Sequence, residues 1–139
     1  MLLHVIARGK IGRSPEAELV ERYLKRISWP TKLTELSERA PLPVAPSGSV
    51  TVLLDEKGKA LSSMELAKKL EQWRDSGTRE ARFVIGAADG HSAEERAGAD
   101  LLISFGPATW PHLLVRSMLA EQLFRATSIL ANHPYHREG

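Results

Sequence analysis

The residue types best suited to holding a base and its phosphate stand together near the end of the chain, where Tyr135, His136 and Arg137 follow Pro134. A stacking ring, an imidazole and a guanidinium in a row can grip a nucleobase, although chain ends are usually frayed and without a role. His133 and His136 have the spacing of a metal pair, but a proline stops any helix between them and no third ligand is evident, so no metal is expected. His112 follows Pro111 where a long helical pattern begins. There the helix dipole favours a neutral imidazole, which can accept a proton, and a capping or solvated histidine would read the same way. His4 sits in an apolar strand and reads as structural. No Gly-x-Ser-x-Gly elbow supports a Ser-His-Asp hydrolase. The absence of cysteine excludes thiolate catalysis, disulfides and cysteine-ligated zinc.

Every cation after Lys69 is arginine: Arg74, Arg79, Arg82, Arg96, Arg116, Arg125 and Arg137. The guanidinium fork suits phosphate and stacked bases, while drift from a GC-rich coding sequence would leave the same trace. Nineteen Lys and Arg against seventeen Asp and Glu give a net charge of +2, too mild for a polybasic binder.

These side chains must be carried by elements, and 139 residues, 42% hydrophobic, allow one domain over 1–139. Leu2 to Arg8 reads as a buried strand ending at Gly9. Ser14-Pro15-Glu16 opens a helix with an N-cap hydroxyl and proline at its first turn, and Leu19, Tyr23 and Ile27 give it an apolar stripe. Thr31 to Glu38 is a polar strand candidate. Residues 39–48 hold three prolines, which forbid regular structure, and this stretch is expected to be the most mobile. Ser49 to Asp55 is the strongest strand, of the kind buried in parallel sheets. Ser62-Ser-Met-Glu65 is a capping box for a helix that Gly77 ends. Ala81 to Gly86 and Asp100 to Phe105 are further strands, separated by a short helix capped by Ser92. Pro111 starts a long helix to about Ala131.

Strands alternating with helices predict a parallel α/β sheet with helices on both faces. The last helix is apolar over more than one face, which predicts a dimer interface. No apolar run is long enough to cross a membrane and the N-terminus lacks a signal peptide, so a cytoplasmic chain is expected.

In open α/β folds, ligands bind beyond the carboxyl ends of the strands. Three such ends are rich in turn residues: Leu54 to Lys59, Gly86 to His91, and Phe105 to His112. None carries a Walker loop or a dinucleotide fingerprint, so ATP and NAD are poor candidates. Their glycines still let a ligand approach backbone groups closely.

The chain closely resembles the RlmH family, the bacterial 23S rRNA pseudouridine-N3 methyltransferases of the SPOUT class, over essentially its full length. The resemblance rests on Leu54-Asp-Glu-Lys-Gly-Lys-Ala-Leu-Ser-Ser63, Val84-Ile-Gly86, Pro111-His-Leu-Leu-Val-Arg116, and the closing run from Ala120-Glu-Gln-Leu-Phe-Arg125 to Asn132-His-Pro-Tyr-His-Arg-Glu138. It implies a parallel-sheet SPOUT fold with a C-terminal deep trefoil knot, a rare exception among folds. It also implies a homodimer and S-adenosylmethionine bound in the knot. By position, Leu54, Gly86, Phe105, Gly106, Pro107, Ala108, Thr109 and Trp110 would contact this cofactor. The implied substrate is a pseudouridine in the helix 69 loop of 23S rRNA within the assembled ribosome, with no DNA or membrane partner. Two positions depart from the family pattern. Ala87 replaces a second glycine, where a required positive φ would cost about 1 kcal/mol or more, and residues 105–110 are bulkier than usual.

On this reading His112 or His136 accepts the N3 proton, Arg125 or Arg137 favours the resulting anion, and Tyr135 stacks on or orients the base. The tail would complete the partner subunit's site. Glu121, four residues before Arg125, either forms a simple helical ion pair or aims the arginine. The rivals are a non-catalytic ribosome-binding or assembly factor that kept the fold, and a methyltransferase for another RNA.

Overall fold

The computed structural model describes residues 1–87 and 89–138. Along the chain run β1 (Leu2–Arg8), α1 (Pro15–Arg26), β2 (Thr31–Leu36), β3 (Ser49–Ala60), α2 (Ser63–Asp75), β4 (Glu80–Ile85), α3 (Ala93–Ala97), β5 (Leu101–Ser104), α4 (His112–Leu130) and α5 (Tyr135–Glu138). The helix starts follow local chemistry. Ser14 accepts from the Ala17 N–H, and Ser62 with Glu65 and Ser92 with Glu95 form full capping boxes.

The strands form one sheet in the order β2-β1-β4-β3-β5, and every neighbouring pair is parallel. Strand alternation sorts the core. Leu3, Val5, Ala7, Val52, Leu54, Phe83 and Ile85 join residues of α1, α2 and α4 in one large cluster, while Ile6, Leu53 and Val84 form a smaller one with Leu42 and Ala99. Helices stand on both faces as expected, but unequally: the three long helices share one face, and only the short α3 lies on the other, where its Glu95 pairs with Arg8 at 2.6 Å. The other face carries the buried polar residues His4, Arg8, Thr51 and Arg82, which need hydrogen-bond acceptors that an apolar helix face lacks. Glu80 and Thr34 meet His4, and the proline-rich segment supplies acceptors for the two arginines. Arg8 donates to the Ala40 carbonyl at 3.0 Å and Arg82 to the Pro43 carbonyl at 2.7 Å.

β3 does not stop at Asp55 as its apolar pattern predicts. It leaves the ladder after Leu54 and returns at Lys59 and Ala60, so that Ile103 of β5 partners both Leu54 and Lys59. Gly58 permits this return. A Cβ there would lie 2.6 Å from the Ile103 nitrogen and the Leu102 carbonyl carbon, closer than real side chains come to backbone.

α4 packs against both α1 and α2 and buries Leu119, Leu123 and Ala126. Arg116 in its first turns is 1% exposed. It pairs with Glu35 near the end of β2 and donates to the Gly9 carbonyl at 3.1 Å. After α4, Asn132 adopts φ 57°, with its N–H on the Ile129 carbonyl and the His133 N–H on that of Ser128. This Schellman turn sends α5 back along the helix it follows.

Candidate active site

The carboxyl ends of β3, β4 and β5 and the loop leading into α4 enclose a cavity of about 570 Å³. Of the eight residues expected to meet a cofactor, seven line it: Leu54, Gly86, Phe105, Gly106, Ala108, Thr109 and Trp110. Pro107, an exposed residue, is not part of the lining. His112 lines the cavity as the first residue of α4.

Glycine chemistry shapes these walls. A Cβ on Gly86 would come within 3.0 Å of the Gly90 carbonyl carbon, because the chain folds back through an Ala87–Gly90 bridge. Asn132 is the one non-glycine residue with positive φ among the described residues, so Ala87 adopts an ordinary conformation without the strain a second glycine would relieve. Gly106 has φ 96° with open space where a side chain would stand. The Trp110 indole closes the last loop by donating to the Phe105 carbonyl at 3.2 Å, a use for the bulky residue that the family pattern lacks.

Sequence reasoning missed the polar part of this wall. Asp55, His91 and Arg96 line the cavity, and Arg96 Nε donates to Asp55 at 2.7 Å. Burial pushes the Asp55 carboxyl up, but the Lys57 N–H and the Arg96 guanidinium outweigh it and hold the group below its ordinary range. The stop of the β3 apolar run at Asp55 was the signal that could have found it. His91 carried no motif at all.

The tail residues gather elsewhere, around Glu121. Arg125 donates to Glu121 Oε2 from Nε at 3.1 Å and from Nη2 at 2.9 Å. The Tyr135 hydroxyl donates to the same oxygen at 2.8 Å. Arg125 Nη1 lies 3.1 Å from His136 Nδ1, which must be the acceptor because a guanidinium only donates. The guanidinium also stands 4.9 Å from the Tyr135 ring centre, and the Phe124 ring lies 4.6 Å from it. Glu121 thus forms the i,i+4 helical pair with Arg125 and also holds the Tyr135 hydroxyl. Burial and the Glu121 carboxylate push the Tyr135 hydroxyl well above its usual pKa, and Glu121 raises that of Arg125. Arg137 is exposed. None of Arg125, Tyr135, His136 and Arg137 lines the cavity, so within this chain the residues expected to handle a base and the expected cofactor pocket are apart.

Such a site can bind an elongated polar molecule through backbone groups and present it near an imidazole. No group of three or more side chains able to hold a metal ion occurs among the described residues. The buried Arg82 and Arg116 are spent inside the fold, so the arginine-rich second half is only partly a ligand surface.

A family model described as predicted SPOUT methyltransferase matches residues 1–136, and the chain belongs to that family. Within it, the chain groups with proteins named ribosomal RNA large subunit methyltransferase H. It is 70% identical over 142 residues to the one from Erythrobacter litoralis (strain HTCC2594), covering 100% of both chains. With the one from Zymomonas mobilis subsp. mobilis (strain ATCC 31821 / ZM4 / CP4) it shares 63% over 142 residues, again covering 100% of both. A solved structure of a probable methylase family protein from Haemophilus influenzae Rd KW20 superposes with a TM-score of 0.58 at 10% identity. That match covers 94% of this chain and 66% of the other, a likeness of fold.

Proposed function

We propose that the chain is a methyltransferase that uses S-adenosylmethionine to methylate N3 of a pseudouridine in the helix 69 loop of 23S rRNA. It would act in the cytoplasm, on the assembled ribosome, as a homodimer of one knotted SPOUT domain. The observation that carries this reading is the 70% identity across the whole length of a relative named for rRNA methylation. The cavity supports it, since its lining includes seven residues assigned by family position before any geometry was considered.

The residues present fit the cofactor. Gly106 leaves open space beside its backbone and Gly86 lets the Gly90 backbone close in on the wall, and the cavity of about 570 Å³ is of small-molecule size. When bound, the cofactor supplies a methyl group already activated on a sulfonium. What the chain must do is hold the base nitrogen about 3 Å from that methyl, in line, and take its proton. The proton acceptor of this proposal is His112, on the cavity wall, or His136, held through Arg125. Arg125 and Arg137 favour the anion left on N3, and Tyr135 orients the base. Because the tail lies outside its own cavity, the tail of a second protomer is proposed to complete each site. Half-buried Phe105, Leu114 and Met118, which line a further shallow groove with α1, are the apolar surface offered for that pairing. The close passage of Gly58 against β5 supports the knotted crossing.

The test is transfer of labelled methyl from S-adenosylmethionine to ribosomes from a strain lacking this activity, followed by mapping of the label. Label on N3 of the helix 69 pseudouridine is expected. Label on another nucleotide would move the substrate. No label, with cofactor binding intact, would leave a ribosome-binding factor.

A further inference from the structure

The cavity wall holds one ionisable group that the transfer chemistry leaves unused. His91 follows Gly90, whose N–H donates to the Ala87 carbonyl at 2.8 Å, and its side chain is 1% exposed. Its Nε2 lies 3.0 Å from the carbonyl oxygen of Leu54, the last β3 residue paired with β4. A carbonyl oxygen only accepts, so Nε2 carries the hydrogen. Nδ1 has no hydrogen-bond partner. The nearest charged atom is Glu95 Oε1 at 3.8 Å. That oxygen already accepts from the Ser92 N–H at 3.0 Å, and the other Glu95 oxygen accepts from Arg8 at 2.6 Å.

The ring therefore stands between two acceptors, a carbonyl and a carboxylate, and its neutral form satisfies only the carbonyl. The charged groups facing it are Glu95 on α3, Arg8 on β1 and Asp55 on β3. Burial lowers its proton affinity more than the Leu54 carbonyl, Glu95 and Asp55 restore it.

We propose that His91 is a positioning residue of the methyl-donor site: as a neutral imidazole with its hydrogen on Nε2, it ties the loop after β4 to the Leu54 carbonyl and sets two walls of the cavity against each other. The proposal rests on the methyl-donor reading. It carries an electrostatic consequence. A protonated ring would add a positive charge to the wall facing a sulfonium cation, whereas the demethylated product is a neutral thioether. Acidification should weaken binding of the donor more than that of the product, and this difference should depend on His91.

Calorimetry on the full-length protein tests this with S-adenosylmethionine and S-adenosylhomocysteine, for the native chain, His91→Leu and His91→Gln. Leucine keeps bulk but cannot donate, and donor affinity should fall about tenfold. Glutamine can still donate to the Leu54 carbonyl and should stay within about threefold. In the native chain alone, the donor-to-product affinity ratio should fall as the pH is lowered below 6.5, the ordinary value from which burial lowers His91. An equal affinity for the leucine variant and the native chain overturns the proposal, as does a glutamine variant as weak as leucine. Failure of the native chain to bind the donor at all would sink the methyl-donor reading itself. Nitrogen-15 NMR of the His91 ring decides the matter should the leucine variant not fold: a hydrogen on Nε2 at neutral pH is expected, and one on Nδ1, or a charged ring, overturns the latch.

Discussion

The Tyr135 hydroxyl and the Glu121 carboxylate meet at 2.8 Å across the Schellman turn that ends α4. This contact holds α5 against the helix it follows, and the same carboxylate oxygen takes two donors from Arg125. Tyr135→Phe keeps the packing on Phe124 but frees the tail from Glu121. It should lower methyl transfer at least tenfold while leaving cofactor affinity unchanged, read by single-turnover transfer beside calorimetry. Glu121→Ala leaves the half-buried Arg125 unpaired and should cost about 1–2 kcal/mol in urea unfolding. A variant as stable as the native chain would show that Glu121 holds nothing.

His112 and Arg137 lie at opposite ends of the last helical hairpin, yet both are assigned to the reacting base. His112→Ala and Arg137→Ala should each reduce transfer by about 10²-fold or more, with cofactor affinity kept within a few-fold. Mixing the two inactive variants should restore part of the activity, because a mixed dimer contains one site with both residues. Absence of any recovery would place the two residues in the same protomer's site.

Two glycines should respond very differently to alanine. At Gly58 the new methyl would stand 2.6 Å from β5 backbone atoms that cannot yield, so Gly58→Ala should destabilise by about 3 kcal/mol or more. At Gly106 there is room, and only the φ of 96° resists, which costs about 1–2 kcal/mol. Thermal unfolding of the two variants under one buffer reads the order directly, and a reversed order would contradict the close passage of β3 against β5.

Acid should unfold the protein in two stages. Burial pushes Glu35, Asp55 and Glu95 up, but backbone N–H groups and the paired Arg116, Arg96 and Arg8 outweigh it, so all three lie below the ordinary values of 4.5, 3.8 and 4.5. Their stabilisation is complete above that range and is lost as the pH falls through the lower folded values, since the unfolded chain binds protons first. His91 is also lowered, from 6.5. The unfolded imidazole therefore gains its proton first, and an earlier, smaller loss should begin below about pH 6.5. Urea midpoints from pH 8 to pH 3 should show both stages, and His91→Gln should abolish only the first.

Much of this architecture could be read from sequence because its signals are local. Capping boxes at Ser62 and Ser92, proline after Ser14 and the apolar strand at 49–55 depend on neighbours within a turn. The loops expected to meet a cofactor, at Leu54, Gly86 and 105–110, are marked by strand ends and glycines, and they line one cavity. Contacts made across the chain were not legible. The continuation of β3 to Ala60 depends on β5, more than forty residues later. His91 gains its role from Leu54, 37 residues away, and nothing beside it in the sequence hints at that. Arg82 and Arg116 read only as members of an arginine-rich second half, because the carbonyls they satisfy belong to the distant Pro43 and Gly9.

The strand order has a consequence for how the molecule is made. β4 stands between β1 and β3, so a nascent chain that has delivered its first sixty residues can pair only β1 with β2. β3 has neither of its neighbours until β4 and β5 are synthesised, and the Gly9 carbonyl waits for Arg116 from the far end. Folding in strict order of synthesis is therefore interrupted: β3 must stay unpaired until β4 has left the exit tunnel. A chain terminated before β4 leaves β3 with an open strand edge, a substrate for proteolysis rather than a partial enzyme.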